Sequence, residues 1–263
     1  MNILTVKDLS ISFGGLKAVD GLSFEVQENS IYGLIGPNGA GKTTVFNCIS
    51  RFYTPDEGNI TFRNGDKEYN LLDYKTHQVI GKGLVRTFQN VELVKTMTVL
   101  DNILIGLHSK TKGNLISEGL RLSSVRKEEK RVKDKAIKII DFLGLKGLEN
   151  NLASSQPYGV QKLIELGRTL VADPKLIILD EPAAGMNHIE TEKLAKLIKR
   201  IRDELDITIL LVEHDMSLVM GICEKICVIN FGKKIAEGSP IDIQEDYEVQ
   251  KAYLGGEGTE CLK

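Results

Sequence analysis

The stretch GPNGAGKTT, residues 36–44, decides the fold of this chain. It fits the pattern G-x-x-x-x-G-K-[ST], whose fixed positions are Gly36, Gly41, Lys42 and Thr43. The apolar segment IYGLIG leads into it and a helical pattern follows, which is the strand–loop–helix context that a phosphate-binding loop requires. Glycines let the backbone turn so that amide N–H groups face phosphate oxygens, and the helix start adds unpaired N–H groups. The stretch therefore predicts a nucleotide-binding α/β core.

We expect the whole loop to contact a nucleotide. The side chain of Lys42 would reach the β- and γ-phosphates, and the hydroxyl of Thr43 would bind Mg²⁺. The expected nucleotide-binding residues of the loop are Gly36, Pro37, Asn38, Gly39, Ala40, Gly41, Lys42, Thr43 and Thr44.

Two further apolar strands end in groups suited to phosphate chemistry. Asp180 and Glu181 close the strand LIILD, and His214 follows the strand that ends in VE. A carboxylate at the end of a strand beside the phosphate loop can hold the metal through water, so Asp180 is the expected metal residue. Glu181 is placed to activate the attacking water as a general base, and His214 could reach a γ-phosphate.

Composition narrows the classes of partner. The chain has 263 residues, of which 42% are hydrophobic and 27% charged, as in ordinary soluble globular proteins. Its net charge of −2 and pI of about 6.2 give no basic footprint for nucleic acid.

The N-terminus does not fit a signal peptide, and no run approaches the roughly 18 apolar residues of a membrane span. Four cysteines without metal-ligand spacing predict buried thiols in a reducing, cytoplasmic compartment, with Cys223 and Cys227 on one helix.

The chain changes character along its length. Residues 3–35 and the segment GNITFRNGD predict short antiparallel strands with glycine turns. From about residue 95 to 148 apolar residues recur at helical spacing, which indicates an inserted helical subdomain. The segments KLIILDE and ITILLVEH then resume a parallel sheet, and KICVINFGKKIAEG predicts a closing hairpin. We expect one domain over 1–263, with a core of about 1–90 and 160–263 and a helical subdomain of about 91–159.

These motifs, in this order, resemble the nucleotide-binding subunits of ABC transporters over nearly the whole chain. GPNGAGKT resembles the Walker A motif of the family, LIILDE its Walker B motif with the catalytic glutamate, and VEHD its histidine loop. VRTFQN resembles the glutamine loop, which implies that Gln89 acts at the nucleotide, the metal and the catalytic centre. The resemblance also places Phe13 against the adenine and Ala18 beside the base. It implies a P-loop NTPase core with an N-terminal antiparallel β subdomain and an inserted helical subdomain.

The segments SFGGLKAVDGLSF, GLVRTFQNVEL, DEPAAGMN and LLVEHDMSLVMGI are most similar to the ATPases of branched-chain amino-acid importers. ATPases of urea or amide importers and of lipopolysaccharide exporters remain alternatives, because the substrate does not touch this subunit. A non-transport ABC ATPase is disfavoured by the single phosphate loop and the absence of a long heptad run. A regulatory nucleotide binder without catalysis is disfavoured by Glu181.

The family resemblance implies a mechanism and partners. Two such subunits would sandwich two ATP molecules with Mg²⁺, head to tail, and hydrolysis would drive two membrane permease subunits. The partners would be a second ABC ATPase, with a heterodimer favoured, the permeases, and indirectly a periplasmic or extracellular binding protein, but no nucleic acid. The location would be cytoplasmic, at the inner face of the membrane.

The stretch SSQPYGVQK, residues 154–162, departs from the family signature Leu-Ser-Gly-Gly-Gln. Pro157 stands in the place of the serine and Gly159 matches, so both are expected to face the nucleotide of the partner subunit. Proline is tolerated in the first helical turn, so we expect a weakened site, and not a dead one. Asn187 replaces a common aspartate, which implies either altered communication between sites or a helix N-cap with Glu190.

Overall fold

The computed structural model describes residues 1–87, 92–107 and 123–254. The chain forms two compact units, of which one contains Met1–Arg86 and the chain from Lys175 onward, and the other contains Thr87–Pro174. The sequence predicts a return to the core near residue 160, whereas the helix that begins at Tyr158 belongs entirely to the second unit.

The strands of the described chain all lie in the first unit and form two sheets. They are β1 (Asn2–Phe13), β2 (Leu16–Gln27), β3 (Ile31–Ile35), β4 (Glu57–Asn64), β5 (Lys67–Asn70), β6 (Leu84–Arg86), β7 (Leu176–Asp180), β8 (Thr208–Val212), β9 (Lys225–Asn230) and β10 (Lys233–Gly238). One sheet has the order β2-β1-β4-β5, and its paired strands are all antiparallel. The other has the order β10-β9-β3-β8-β7-β6 and is parallel apart from the β9–β10 hairpin. This architecture confirms the expected α/β core with an additional antiparallel β subdomain.

The described helices are α1 (Lys42–Ile49), α2 (Thr76–Lys82), α3 (Val99–Leu104), α4 (Ser123–Phe142), α5 (Tyr158–Leu170), α6 (His188–Leu205), α7 (Met216–Ile222), α8 (Pro240–Glu245) and α9 (Tyr247–Leu254). Short 3₁₀ turns cover Leu71–Asp73, Ile105–Leu107 and Ala153–Ser155. Among the described residues, no helix is both long and apolar enough to cross a membrane.

Burial of both faces of the parallel sheet explains why its strands are apolar throughout. Every residue of β3, β7 and β8 is buried. Alternate residues of these strands join α1 and the antiparallel sheet in one apolar core, in which Phe46 and Phe62 are fully buried. The core therefore holds β3, α1 and the loop between them in a fixed frame.

The carboxyl ends of β3, β7 and β8 position the candidate site. These three strands run parallel to one another, so the segments that follow them emerge at the same edge of the sheet. Asp180, the last residue of β7, is paired in register with Val212, the last residue of β8. The phosphate loop follows β3, Glu181 follows β7 and His214 follows β8 by two residues.

The second unit is helical, as the sequence indicates. Gly167 of α5 allows close packing, because a Cβ there would lie 2.9 Å from side-chain atoms of both Ile103 and Leu143. The fully buried Asn102 organises the preceding loop: its amide donates to the carbonyls of Val94 and Thr98, and its Oδ1 accepts from the N–H of Val94. Segment 94–98 is thus tied to the start of α3.

The cysteine prediction is correct for burial and wrong for secondary structure. Cys48, Cys223 and Cys227 are free and buried. Burial raises the pKa of the Cys227 thiol to about 12, so it stays protonated. Cys223 caps the end of α7 and Cys227 lies in β9, because a strand begins only two residues after Cys223. Cys261 lies outside the described residues.

Candidate nucleotide site

The phosphate loop has a backbone that only glycine accommodates at two of its positions. Gly41 has φ of +106°, and a Cβ on it would lie 2.5 Å from the carbonyl oxygen of Ala18. Gly36 approaches β9 still more closely, since its Cβ would lie 2.1 Å from the carbonyl oxygen of Ile229. Gly39, in contrast, has φ of +79° and open space around it. The loop is packed against its neighbours at both ends and open at its tip.

Lys42 is almost fully buried and turned back onto the loop. Its ammonium donates to the carbonyl oxygens of Gly36 at 2.6 Å and Pro37 at 3.0 Å. Burial lowers the pKa of Lys42, against the opposing pull of Glu181 and then Asp180. A phosphate entering the loop would offer this cation a charged partner in place of two neutral carbonyls.

Thr43 lies at the start of α1, where backbone N–H groups are unpaired within the helix. The helix begins at Lys42 with Gly41 as N-cap, and no side chain caps it. Thr43 is exposed and Thr44 is half-buried, so the hydroxyl of Thr43 is open to a ligand. The amides and the helix dipole favour an anion at this end.

Asp180 is held by a cation that the sequence analysis missed. The guanidinium of Arg86, at the end of β6, lies 2.7 Å from Asp180 Oδ2. The same guanidinium donates to Asn47 Oδ1 at 2.7 Å and to Ser50 Oγ at 3.2 Å, both on or beside α1. Arg86 thus joins β6, β7 and α1 behind the phosphate loop. An arginine at a strand end gives no distinctive signal in the sequence.

Glu181 and His214 lie close together at the edge of the parallel sheet. His214 Nδ1 lies 3.9 Å from Glu181 Oε1, and the two side chains are 61% and 23% exposed. Glu181 has φ of +47°, an unusual backbone for a residue that is not glycine. Its N–H donates to the carbonyl of Val212 at 2.9 Å, which ties the two loops at the sheet edge. Both groups can therefore face a ligand on the phosphate loop.

A second buried carboxylate was also missed. Glu213 lies between Val212 and His214 with its side chain fully buried. Its oxygens accept from the N–H groups of Ala183 at 2.7 Å and His214 at 3.0 Å. Burial raises the pKa of Glu213, while these backbone donors lower it in part. The sequence does carry a signal for this carboxylate, because Glu213 stands directly between an apolar strand and the candidate residue His214.

The residues expected to contact the base lie beside the loop. Phe13 is 46% exposed and packs edge-on against Tyr53, with ring centroids 5.3 Å apart. Ala18 is half-buried and its carbonyl lies against Gly41, as described above. The turn at Gly232 closes this side, because its N–H donates to the carbonyl of Ala40 at 2.9 Å. Gln89 lies outside the described residues.

The signature stretch forms a helix start in the second unit. Pro157 is the N-cap of α5, with φ of −54° and ψ of 152°, and is not in the first turn as expected. Its ring makes no side-chain cap, so the N–H groups of the first turn, including that of Gly159, have no capping side chain. Gln161 instead turns back, and its Nε2 donates to the carbonyl of Gln156 at 2.7 Å.

Magnesium would be held at this site by few protein groups. Within the described ranges, no cluster of three or more His, Cys, Asp or Glu side chains could hold a metal. Thr43 and Asp180 suit Mg²⁺, which is usually bound by one or two carboxylates together with substrate phosphates.

Known proteins are similar to this chain over nearly its whole length. The ABC transporter family profile matches residues 19–184, and the profile described as branched-chain amino acid ATP-binding cassette transporter matches residues 233–259. The high-affinity branched-chain amino acid transport ATP-binding protein LivG of Salmonella typhimurium is 44% identical over 253 residues, covering 96% of this chain and 98% of that protein. The corresponding protein BraF of Pseudomonas aeruginosa is 42% identical, with the same coverage of both chains. The crystal structure of the ADP conformation of MJ1267, an ATP-binding cassette of an ABC transporter, superposes with a TM-score of 0.83 at 33% identity, covering 97% of this chain and 99% of that one.

The fold, the site and these matches define a class: the chain belongs to the ATP-binding subunits of ABC transporters and is an ATPase coupled to transport. Within that class it is similar to the ATP-binding proteins of high-affinity branched-chain amino acid transport.

Proposed function

We propose that this chain is the ATP-hydrolysing subunit of an importer of branched-chain amino acids. One observation carries the proposal: the phosphate loop, Asp180, Glu181 and His214 lie at one sheet edge of a chain that is 44% identical, almost end to end, to LivG. The position of these residues supports ATP hydrolysis, and the identity to LivG supports branched-chain amino acids as the transported substrate.

In the proposed reaction, water attacks the γ-phosphate of ATP, a new P–O bond forms, and the bond from the γ-phosphorus to the bridging oxygen breaks, which releases ADP and inorganic phosphate. Glu181 activates the water as a general base, and His214, 3.9 Å away, orients the γ-phosphate. Lys42 leaves its two carbonyl partners and stabilises charge on the β- and γ-phosphates. Positioning and electrostatics supply most of the rate in this chemistry.

Thr43 and Asp180 would hold Mg²⁺, Asp180 through water, and Gln89 would join them. The metal, when bound, would supply positive charge that offsets the negative charge developing on the phosphates. Asp180 would combine this role with the ion pair that its Oδ2 forms with Arg86. The half-exposed ring of Phe13 would stack on the adenine, with Ala18 beside it.

A second ABC ATPase completes each site. A solved structure that is 21% identical to this chain is described as a dimeric post-hydrolysis state bound to ADP and Pi. We propose a similar head-to-tail dimer here, with the N–H groups after Pro157, including that of Gly159, facing the nucleotide of the partner. A heterodimer suits the lost serine, because the two sites are then unequal.

Two permease subunits, served by an external binding protein, would hold the dimer at the cytoplasmic face of the membrane. Affinity capture from membranes tests this directly. We expect the tagged chain to retain a second ATPase and two membrane proteins, and vesicles of that complex to accumulate leucine with ATP. Glu181→Gln should abolish the uptake while leaving ATP binding intact. Uptake of urea in place of leucine would overturn the assigned substrate, and an active homodimer without membrane partners would overturn the importer.

A further inference from the structure

Glu213 has a position that the proposed reaction does not yet explain. Its side chain is fully buried, directly before His214. One oxygen accepts from the N–H of Ala183 at 2.7 Å, and the other accepts from the N–H groups of His214 at 3.0 Å and Asp215 at 3.4 Å. A single carboxylate thus connects the loop after β7 with the loop after β8.

The loop after β7 needs such support. Glu181 has a left-handed φ of +47°, a conformation that persists only where the surroundings hold it. Two consecutive attachments do so: the N–H of Glu181 donates to the carbonyl of Val212, and the N–H of Ala183 donates to Glu213. The N–H of Ala184 then closes the turn on the carbonyl of Glu181 at 3.1 Å.

We propose that Glu213 is a positioning residue that fixes the general base Glu181 and the histidine His214 relative to each other for ATP hydrolysis. The inference rests on the proposed function, in which those two side chains act on one γ-phosphate. The side chain of Glu213 has no exposed surface, so it would not contact the attacking water or the phosphate directly. It acts through two loops whose side chains lie 3.9 Å apart at Nδ1 and Oε1.

The hydrogen bonds require a full-length carboxylate. Its neighbours are N–H donors on both sides, and an ionised carboxylate presents two acceptor oxygens. A glutamine presents one acceptor and one NH₂ group, so one loop would face a donor. An aspartate keeps the charge but is shorter by one methylene, so it could not reach both loops.

The test uses the full-length chain with Glu213→Gln and Glu213→Asp. We expect kcat for ATP to fall about tenfold or more in both, since a charge-assisted hydrogen bond is worth at least that factor. KM for ATP should stay within about twofold, because the phosphate loop is untouched. Hydrogen exchange at the Ala183 amide should be at least about tenfold faster in both variants.

Glu237→Gln is the matched control. Glu237 lies in β10, is 16% exposed and accepts from Tyr32 and Lys234 away from both catalytic loops. This variant should keep native kcat and native exchange at Ala183, which separates loss of a partly buried, hydrogen-bonded carboxylate elsewhere in the sheet from loss of Glu213.

Three outcomes would overturn the inference: native kcat in Glu213→Gln, equal loss of kcat in Glu237→Gln, or rapid exchange of the Ala183 amide in the native chain. The last needs no variant, so it applies even where a variant does not fold. Glu181→Gln is measured alongside. If it leaves hydrolysis intact, the proposed catalytic role fails; if it abolishes hydrolysis while Glu213→Gln does not, only the present inference fails.

Discussion

The guanidinium of Arg86 lies 2.7 Å from the carboxylate of Asp180, and the two side chains are only 9% and 6% exposed. A charge pair that is this well buried depends on both members, because removing either one leaves the other buried without its oppositely charged partner. The pair also fixes the carboxylate that we expect to hold the metal.

Arg86→Met should lower the free energy of unfolding by about 3–5 kcal/mol, because it leaves Asp180 buried without its cation. Urea denaturation measures this. Arg63→Met is the control, since Arg63 and Glu68 form a similar 2.8 Å pair that is 37% and 57% exposed. Its cost should not exceed about 1 kcal/mol. Equal costs at the two sites would mean that burial of the pair is not decisive.

Gly41→Ala should destabilise the nucleotide-free protein more than Gly39→Ala does. Both positions carry a left-handed φ, which costs an alanine about 1–2 kcal/mol. Only at Gly41 would the new Cβ meet a carbonyl oxygen at 2.5 Å, which adds about 1–3 kcal/mol of overpacking. The comparison is made by urea denaturation without nucleotide. Similar losses for both variants would show that the loop moves away from Ala18 at no cost.

Asn187 serves as a helix cap in the structure. Its Oδ1 accepts from the N–H of Glu190 at 3.0 Å, and its own N–H donates to Glu190 Oε2 at 2.9 Å. Asn187→Ala should therefore cost about 1 kcal/mol of stability. Asn187→Asp, an equally good cap, should change neither stability nor ATP turnover. A change of turnover in Asn187→Asp at native stability would favour communication between sites instead.

Pro157→Ser should raise ATP turnover of the assembled dimer by about tenfold, the value of one restored hydrogen bond to phosphate. The backbone at Pro157 is already in the extended conformation of an N-cap, so a serine fits without rearrangement. Pro157→Ala removes the ring without adding a hydroxyl and should stay at the native rate. Unchanged or lower turnover in Pro157→Ser would show that the loop is not weakened by the missing hydroxyl.

Glu213 should make stability depend on pH in a direction opposite to that of most carboxylates. Burial raises the pKa of Glu213 in the folded state above its ordinary value of 4.5. At a pH between the ordinary value and the folded pKa, the folded state therefore binds more protons than the unfolded state. Stability contributed by this group is therefore present below pH 4.5 and is lost as the pH rises through the folded pKa. The native chain should lose stability relative to Glu213→Gln over that window, measured by denaturation at successive pH values. A difference that is constant with pH would contradict the shift. His214, whose Nδ1 is 3.7 Å from Glu213, is kept in both proteins.

The local parts of the site could be read from the sequence because each is contiguous. Residues 36–44 carry their own glycines and lysine, and Asp180 and His214 each follow an apolar strand directly. The fold class follows from the same segments, since buried parallel strands are apolar throughout and half-buried antiparallel strands alternate. The order of these motifs along the chain then carries the family resemblance.

Residues that act through distant partners could not be found in this way. Arg86 meets Asp180 across 94 positions, and Glu213 meets Ala183 across 30. No local pattern encodes such pairs, because the register of β6, β7 and β8 creates them. The same limit explains the error at Cys223 and Cys227, where local spacing suited a helix but sheet pairing of β9 determined the structure.

The sequence by itself thus determined a phosphate loop, two acidic residues and a histidine on an α/β core, because these features depend on neighbouring residues. Only the tertiary structure decided which buried charges hold them. The ion pair behind Asp180, the left-handed backbone of Glu181 and the carboxylate of Glu213 between two loops all arise where strands distant in sequence end side by side. Burial makes each of these contacts costly to lose, and burial is a property of the folded sheet.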